Sequence, residues 1–530
     1  MNTSEFLSIA CAIVPDRTAL VFNDIRFTFD QFQTRVNQLA DSLASMGIGQ
    51  GDRIAVMQVN SHMIIEIYFA AAQLDAILVP INFRARSEEL EQMLRIAEPK
   101  ILFLGDRYVS LIIDSEGNNT QPQIVVMDNP ESHVGLIYEQ LVSQGNPELN
   151  HFPESADTDT TVIMFTAGTT GTPKGVMLTH DSFSSYILST VTPADPDVYE
   201  TNLITVPFYH IAGLQAALSA IFGGRTLVIM PQFEALSWLK LAQAEQVNRA
   251  MLVPTMLKQL MDHQSFSEYD LTNLAVITYG AAPMPLEVIK QAIGAFPNAQ
   301  FINAFGQTET ASTITMLPPE DHILEGSDSQ IEKKLIHLTS IGKPLDDVEV
   351  MIVSEEGHPV EQGEIGEIVA RGERMMKGYW GQEIETQATI RSGWIYTGDL
   401  AYQDEDDYIY LSGRAKDFIK RGGEMISPDE VEQVLVSHPQ IIDAAVIGIP
   451  DLEWGEEVRA LVVANKPVES SHSSSSSELE RELADHCKAR LASFKTPTSI
   501  IFIEDIPRNV MGKILKRDLR ETYGEPINGS

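Results

Sequence analysis

The sequence predicts an α/β protein with a smaller β section and a terminal α+β unit, and three observations carry that prediction. Up to about Leu345, short apolar runs alternate with helical patterns. After about Asp346, strands follow one another with turn residues between them. From about Gly413, helices and strands mix again. Near-continuous apolar strands suit parallel sheets covered on both faces, and their alternation with helices builds an α/β domain.

Leu7–Val14 is a short apolar run with no basic residue before it, so it reads as a first helix and not as a signal peptide. Thr28 and Gln31 form a capping box flanked by Phe27 and Phe32. Phe32, Val36, Leu39, Leu43 and Met46 then recur at helical spacing. The strand runs are Ile54–Met57, Ile77–Ile81, Ile101–Leu104, Ile124–Met127, Val162–Phe165, Leu203–Val206, Thr226–Met230, Met251–Val253 and Ala275–Tyr279. Gly47–Gly51 carries three glycines but precedes a strand, so it is a turn and not a dinucleotide loop. Asn202–Gly224 contains no charged residue. Pro207, Tyr209, His210 and Gln215 interrupt it, so it reads as a buried strand and helix and not as a membrane span. The β section comprises Val348–Val353, Glu367–Arg371 and Tyr408–Leu411. The last unit has helices at Pro428–Ser437 and Glu478–Leu491 and strands at Ala444–Ile449, Arg459–Val463 and Ser499–Ile503. The serine run Ser470–Ser477 reads as a solvated loop.

Across 530 residues there are 37 Lys+Arg against 74 Asp+Glu, a formal net charge of −37. Such a balance argues against a globally basic nucleic-acid surface and against electrostatic docking on anionic membranes. Anionic small ligands stay open, because charge at a cleft outweighs the sum. Cys11 and Cys487 stand far apart and make no disulfide framework, which fits a reducing, cytoplasmic setting.

One segment speaks directly to chemistry. Thr166-Ala167-Gly168-Thr169-Thr170-Gly171-Thr172-Pro173-Lys174-Gly175 follows a buried strand. Its glycines let the backbone turn tightly and aim N–H groups at an anion. The threonine hydroxyls add donors and Lys174 adds a charge. A Walker A loop would place Ser or Thr after the lysine, where this chain has Gly175.

That loop resembles the signature of the acyl-adenylate-forming (AMP-binding) superfamily of acyl-CoA synthetases, adenylation domains and luciferases. In the family's order there follow Gly280-Ala281-Ala282-Pro283, Ala304-Phe305-Gly306-Gln307-Thr308-Glu309, Tyr396-Thr397-Gly398-Asp399-Leu400, Gly413-Arg414-Ala415-Lys416-Asp417-Phe418-Ile419-Lys420 and Pro507–Lys513. The resemblance implies a large N-terminal AMP-binding region, 1–415, made of two α/β subdomains and a small β-barrel-like part. A mobile α+β lid, 416–530, completes the chain. It also implies ATP, Mg²⁺ and coenzyme A as the small molecules used.

Each motif carries a chemical expectation. Attack of a carboxylate on the ATP α-phosphate joins two anions, so cations must meet the developing charge. Thr166, Gly168, Thr169, Thr170, Gly171 and Lys174 would hold phosphates, and Glu309, beside Thr308, would hold Mg²⁺ as a hard oxygen ligand. Gly280, Ala281 and Ala282 are small enough for adenine to approach the backbone. Phe305, where the family often has Tyr, keeps a stacking face without a hydroxyl. Asp399 and Arg414 would clamp the ribose. By resemblance, Lys513 serves adenylation, Lys420 serves thioester formation, Lys416 is the hinge, and Gly422 and Gly423 line the pantetheine path. Standing alone, an Asp in Thr-Gly-Asp is usually a turn residue and a basic tail is usually a solvated helix face. Lys516, Arg517 and Arg520 keep that plainer reading.

The resemblance sets Phe208–Leu214 beside the acyl site, with His210 as a candidate catalytic residue or, equally, a core histidine. No Asp, Arg or Lys lies between Asn202 and Gly224, which counts against amino acids and diacids. Gly213, Ala216 and Ala217 leave room for an apolar group. A medium-chain fatty acid joined to coenzyme A is the favoured reaction. Aromatic or alicyclic acids, and transfer of the acyl group to a carrier protein, are the alternatives. A non-catalytic nucleotide-binding protein would have lost Lys174, Glu309, Asp399 or Lys513, and a luciferase-like oxygenase is the remotest reading. The oligomeric state is left open, a homodimer included.

Overall fold

The computed structural model describes residues 1–113, 122–166, 173–414, 417–421, 424–451, 454–465, 474–509 and 512–525. The chain divides into two compact units, Met1–Val350 with Ala370–Tyr396 and Met351–Val369 with Thr397–Ser530.

The larger unit is built on two mixed sheets. In the first the strands lie in the order Lys343–Pro344, Ser312–Leu317, Gln300–Gln307, Val276–Gly280, Arg249–Leu252, Thr201–Ile204, Thr226–Ile229, Thr18–Phe22 and Ile25–Thr28. The central pairs are parallel. The edges are antiparallel; short turns join Thr18–Phe22 to Ile25–Thr28 and Gln300–Gln307 to Ser312–Leu317. In the second sheet the order is Gly378–Tyr379, Lys174–Thr179, Thr160–Thr166, Ile77–Pro80, Arg53–Met57, Ile101–Leu104, Gln123–Val126 and Leu136–Ile137. The nine strand runs expected up to Tyr279 are all present, with ends within two residues; later strands run further than expected, Ile441–Asp451 against Ala444–Ile449 and Gly455–Ala464 against Arg459–Val463.

Helix Phe29–Ser45 begins as its sequence demands. Gln31 N–H donates to Thr28 Oγ1 and Thr28 N–H to Gln31 Oε1. Phe32, Val36, Leu39 and Leu43 are fully buried on one face. Asn202–Gly224 forms the strand Thr201–Ile204 and the helix Ile211–Phe222. No helix among the described residues is long and apolar enough to cross a membrane.

Between residues 349 and 414 the strands Glu349–Val353, Gly366–Arg371, Ile390–Arg391, Trp394–Gln403 and Ile409–Arg414 make a five-stranded sheet, the small β section. In the smaller unit a further sheet joins Glu424–Ile426, Ile419–Arg421, Gly455–Ala464, Ile441–Asp451 and Ser499–Phe502. Helices Pro428–Val436 and Ser474–Lys488 pack with it around a core that includes Val446, Val462, Leu483 and Cys487. That second helix starts inside the serine run, so Ser474–Ser477 are helical and not loop as expected. Downstream Leu479 and Leu483 bury against the core, and this packing outweighs the weak helix preference of serine.

Candidate active site

Thr166 and Lys174 are the last and first residues of two antiparallel strands, paired in register with Phe165 opposite Gly175. The glycine- and threonine-rich segment therefore closes a hairpin. Gly168, Thr169, Thr170 and Gly171 lie outside the described residues. Gly175 is explained by packing, since a Cβ there would lie 2.9 Å from Ile163 Cγ2.

The strand Lys174–Thr179 pairs on its other side with Gly378–Tyr379, which brings Tyr379 against Lys174. Lys174 Nζ lies 4.8 Å from the centre of the Tyr379 ring. Among the described residues it has no carboxylate partner. The Tyr379 hydroxyl donates to Glu309 Oε1 at 3.0 Å. Burial, then the Glu309 charge, pushes its pKa upward, so it stays a donor.

Thr308 and Glu309 lie in the single turn Thr308–Thr310. Thr310 is fully buried; its hydroxyl accepts from Gln307 N–H and donates to Ser312 O. Met376 N–H holds the Glu309 carbonyl at 2.9 Å. Glu309 Oε2 has no hydrogen bond among the described residues. A half-buried carboxylate held through one oxygen, with the other left open, suits Mg²⁺, which takes one or two carboxylates and completes its shell with phosphate oxygens and water. When bound, the ion would neutralise phosphate charge. Lys174 would supply a further cation to the same phosphates.

Gly280 ends its strand beside Ala304, and a Cβ on it would come 2.1 Å from the Ala304 carbonyl oxygen. Ala281 follows at φ +67°, so the chain turns sharply at Gly280–Ala282. Phe305 is half-buried in the neighbouring strand, opposite Thr315 and next to a bulge at Gly306. Close strand packing therefore accounts for Gly280, whatever adenine requires.

His210 sits just before helix Ile211–Phe222, its ring 4.3 Å from that of Tyr209. Part of the residue is exposed, yet Nε2 is enclosed without a partner, as is the Tyr209 hydroxyl. Burial lowers the His210 pKa to about 4, so the imidazole is neutral at pH 7. The space expected from Gly213 and Ala217 is not there. A Cβ on Gly213 would lie 2.5 Å from Pro207 O, and Ala217 is sealed in the main core. Ala216 is only half-buried.

In the smaller unit, Asp399 lies on the buried side of its strand with Thr397 and Ala401. Thr397 Oγ1 donates to Ile368 O and accepts from Asp399 N–H. Asp399 pairs in register with Arg414. Lys420 is exposed on the strand Ile419–Arg421, its N–H bonded to Glu456. Lys416, Gly422 and Gly423 lie outside the described residues. Lys513 is exposed beyond a turn in which its N–H donates to Asn509 Oδ1 and Asn509 N–H to Lys513 O. Arg508 braces this turn, donating to Gly512 O and to both carboxylate oxygens of Asp443.

The reading of Lys516 as a solvated residue is overturned. Its ammonium is nearly buried, 2.8 Å from Glu432 and 3.4 Å from Asp429. It lies one turn from Leu519, which inserts into the core, so the helix turns Lys516 inward as well. Arg520 pairs with Asp417, and Arg517 remains exposed.

Tyr379 and Met376 were not legible in the sequence. Their partners come from segments 174 and 309, far away along the chain. Only the aromatic pair Tyr379-Trp380 after a glycine hinted at a packed element.

Comparison with known proteins agrees with this geometry. Residues 7–380 match the AMP-binding enzyme family and residues 430–513 its C-terminal domain. Long-chain-fatty-acid–CoA ligase FadD13 of Mycobacterium tuberculosis is 33% identical over 506 residues, covering 95% of this chain and 94% of the relative. Fatty acid–[acyl-carrier-protein] ligase ScoC of Streptomyces coeruleorubidus is 32% identical, covering 96% and 94%. Among solved structures, a Mycobacterium tuberculosis fatty acyl CoA synthetase superposes with a TM-score of 0.75 at 30% identity, covering 99% of this chain and 98% of that one. Anthranilate CoA ligase AuaEII reaches 0.86 at 24% identity, covering 98% and 97%, and shows the fold. The chain belongs to the AMP-binding enzyme family and is an AMP-forming acid–thiol ligase, with ATP, Mg²⁺ and coenzyme A as the small molecules of its chemistry.

Proposed function

We propose that this ligase joins a monocarboxylic fatty acid of medium chain length to coenzyme A through an acyl-AMP intermediate, releasing AMP and pyrophosphate. The observation that carries the reading is that Tyr379 touches both Lys174, through its ring, and Glu309, through its hydroxyl, so one side chain links a cation with a carboxylate fit for a metal. The carboxylate of the acid displaces pyrophosphate from the α-phosphate. Thr166, Lys174 and the hairpin hold the phosphates, and Lys513 contributes a cation to that step. Asp399 takes the ribose hydroxyls, with Arg414. The thiol of coenzyme A then attacks the acyl carbonyl and AMP leaves, with Lys420 serving this half-reaction, Gly422 and Gly423 flanking the pantetheine, and Lys416 as the hinge between the two.

Support for an apolar acid comes from the acyl-site segment. Residues 202–224 contain no Asp, Glu, Lys or Arg, and His210 among them is kept neutral by burial, so no fixed charge there would pair a second carboxylate or an ammonium. His210 would contact the acyl side of the intermediate. The domain reading follows the same logic, with 1–415 carrying nucleotide chemistry and 416–530 carrying Lys513. The family's C-terminal match over 430–513 supports it.

The test is a panel of straight-chain, aromatic and alicyclic acids with ATP and coenzyme A, scored by kcat/KM and by mass spectrometry of the product. Highest kcat/KM for straight-chain acids of medium length, with their acyl-CoA as product, is the expected result. A maximum on a ring acid would replace the acyl assignment. Acyl-AMP that accumulates with coenzyme A but discharges on a holo carrier protein would replace the acceptor, a reading that similarity to ScoC makes worth including.

A further inference from the structure

We infer that Tyr379 is a positioning residue for Mg·ATP, acting on the metal-ligand carboxylate through its hydroxyl and on the phosphate-binding lysine through its ring. The inference rests on the nucleotide-binding reading above.

Tyr379 is 5% exposed and sits in a strap, residues 374–380, that is tied down along its length. At its start Arg374 is wholly buried. Its guanidinium donates to Asp347 at 3.1 Å and lies 5.2 Å from the centre of the Tyr186 ring. Met376 N–H then takes the Glu309 carbonyl at 2.9 Å. Lys377 N–H takes Met177 O at 2.9 Å, and Trp380 N–H takes Gly175 O at 2.7 Å. The strap is thus bonded on one side to the strand that begins with Lys174 and on the other to the turn that carries Glu309. Tyr379 is the side chain in the strap that reaches both.

The two contacts differ in kind. The Tyr379 hydroxyl fixes Oε1 of Glu309, so the carboxylate plane is set before any cation arrives and Oε2 is left for it. The Tyr379 ring offers Lys174 a cation–π contact and no counterion. A carboxylate in that place would hold the ammonium more strongly and compete with phosphate for it. An aromatic face positions it at low cost and releases it readily. A tyrosine that merely filled the core would need neither contact.

The plainer role and this one separate cleanly. Tyr379→Phe keeps the packing and the aromatic face but removes the hydroxyl. Tyr379→Leu removes both. ATP binding is measured by calorimetry without acid or coenzyme A, once with Mg²⁺ and once with EDTA, on the full chain. For Tyr379→Phe the expected result is about tenfold weaker binding with Mg²⁺, the scale of one hydrogen bond to a charged group, and unchanged binding in EDTA. For Tyr379→Leu, binding in EDTA falls as well, by about threefold. In steady state Tyr379→Phe raises KM for Mg·ATP and leaves thioester formation from supplied acyl-AMP at its normal rate. Wild-type affinity in Tyr379→Phe with Mg²⁺, or an equal loss in Mg²⁺ and in EDTA, would overturn the inference. Wild-type protein that binds no ATP in either arm would overturn the nucleotide reading itself, and the inference with it.

Discussion

In the larger unit, neither Lys174 nor Glu309 forms an ion pair among the described residues. Lys174 rests over an aromatic ring, and Glu309 gives one oxygen to a phenol. In the smaller unit the basic residues around the Lys513 turn are mostly paired. Lys516 meets Glu432 and Asp429, Arg508 meets Asp443, and Arg520 meets Asp417. Charge held ready for a polyanion must not be neutralised by its own protein, because the ligand would then pay to break the pair. Charge used as framework has the opposite need. The overall excess of 74 acidic over 37 basic residues conceals this division of labour.

The largest effect should come from breaking the framework pair. Lys516→Ala strands the Glu432 carboxylate, whose pKa burial already raises. Loss of one partner of a buried pair costs about 3–5 kcal/mol. Hydrogen exchange in the strands Ile441–Asp451 and Gly455–Ala464 should quicken accordingly. The double variant Lys516→Met with Glu432→Leu should recover most of the loss. A cost near zero for Lys516→Ala would mean the pair is peripheral, and the contrast between the units would fail.

Next in size is the cation proposed for adenylation. Lys513→Ala should slow acyl-AMP formation by about 10²–10³, the range for one preorganised charge-stabilising group. Stability and thioester formation from supplied acyl-AMP should stay near normal. Pyrophosphate exchange measures the first step alone. Equal loss of both half-reactions would remove Lys513 from its assigned role.

These two lysines show where the sequence was legible and where it was not. Both sit in one basic tail, and nothing local separates Lys513 on an exposed turn from Lys516 facing inward. The difference is made by Glu432 and Asp429, more than eighty residues earlier in the chain. Signals that act over a few residues were readable, such as the strand runs and the Thr28–Gln31 box. The family motifs also singled out Lys174, Glu309 and Asp399. Long-range packing was not readable. Gly213 and Ala217 looked like vacant space until the Pro207 carbonyl and the core were seen against them.

A third contrast concerns acid. His180 and His322 of the larger unit are almost fully buried, and burial lowers the pKa of each to about 4. The unfolded chain takes up protons near pH 6.5 while the folded one does not. Stability contributed by the neutral rings is therefore full above pH 6.5 and is lost as pH falls toward 4. Between pH 7 and 5 the loss is on the order of 1–2 kcal/mol per histidine. In the smaller unit Lys516 has a raised pKa, so its contribution fades only at alkaline pH. Urea unfolding of Trp454→Phe, in which the remaining tryptophans all report the larger unit, should show this acid sensitivity. His322→Gln should flatten part of it. A pH-independent midpoint would show that these rings are not held neutral.

The smallest expected effect is the helix cap at Thr28, and it tests whether the larger unit's site is insulated from its scaffold. Thr28→Ala removes the acceptor for Gln31 N–H, and loss of such a cap costs about 1 kcal/mol. Thr28→Ser keeps an oxygen in place and should recover most of it. Neither change touches Lys174, Tyr379 or Glu309, whose geometry is fixed by the strap and the Thr310 turn. The urea midpoint should therefore shift in Thr28→Ala while Mg·ATP affinity by calorimetry stays at the wild-type value. If affinity fell together with stability, the site would depend on the fold as a whole and not on the local bonds of the strap, and the separation between held charge and framework charge would have to be drawn elsewhere.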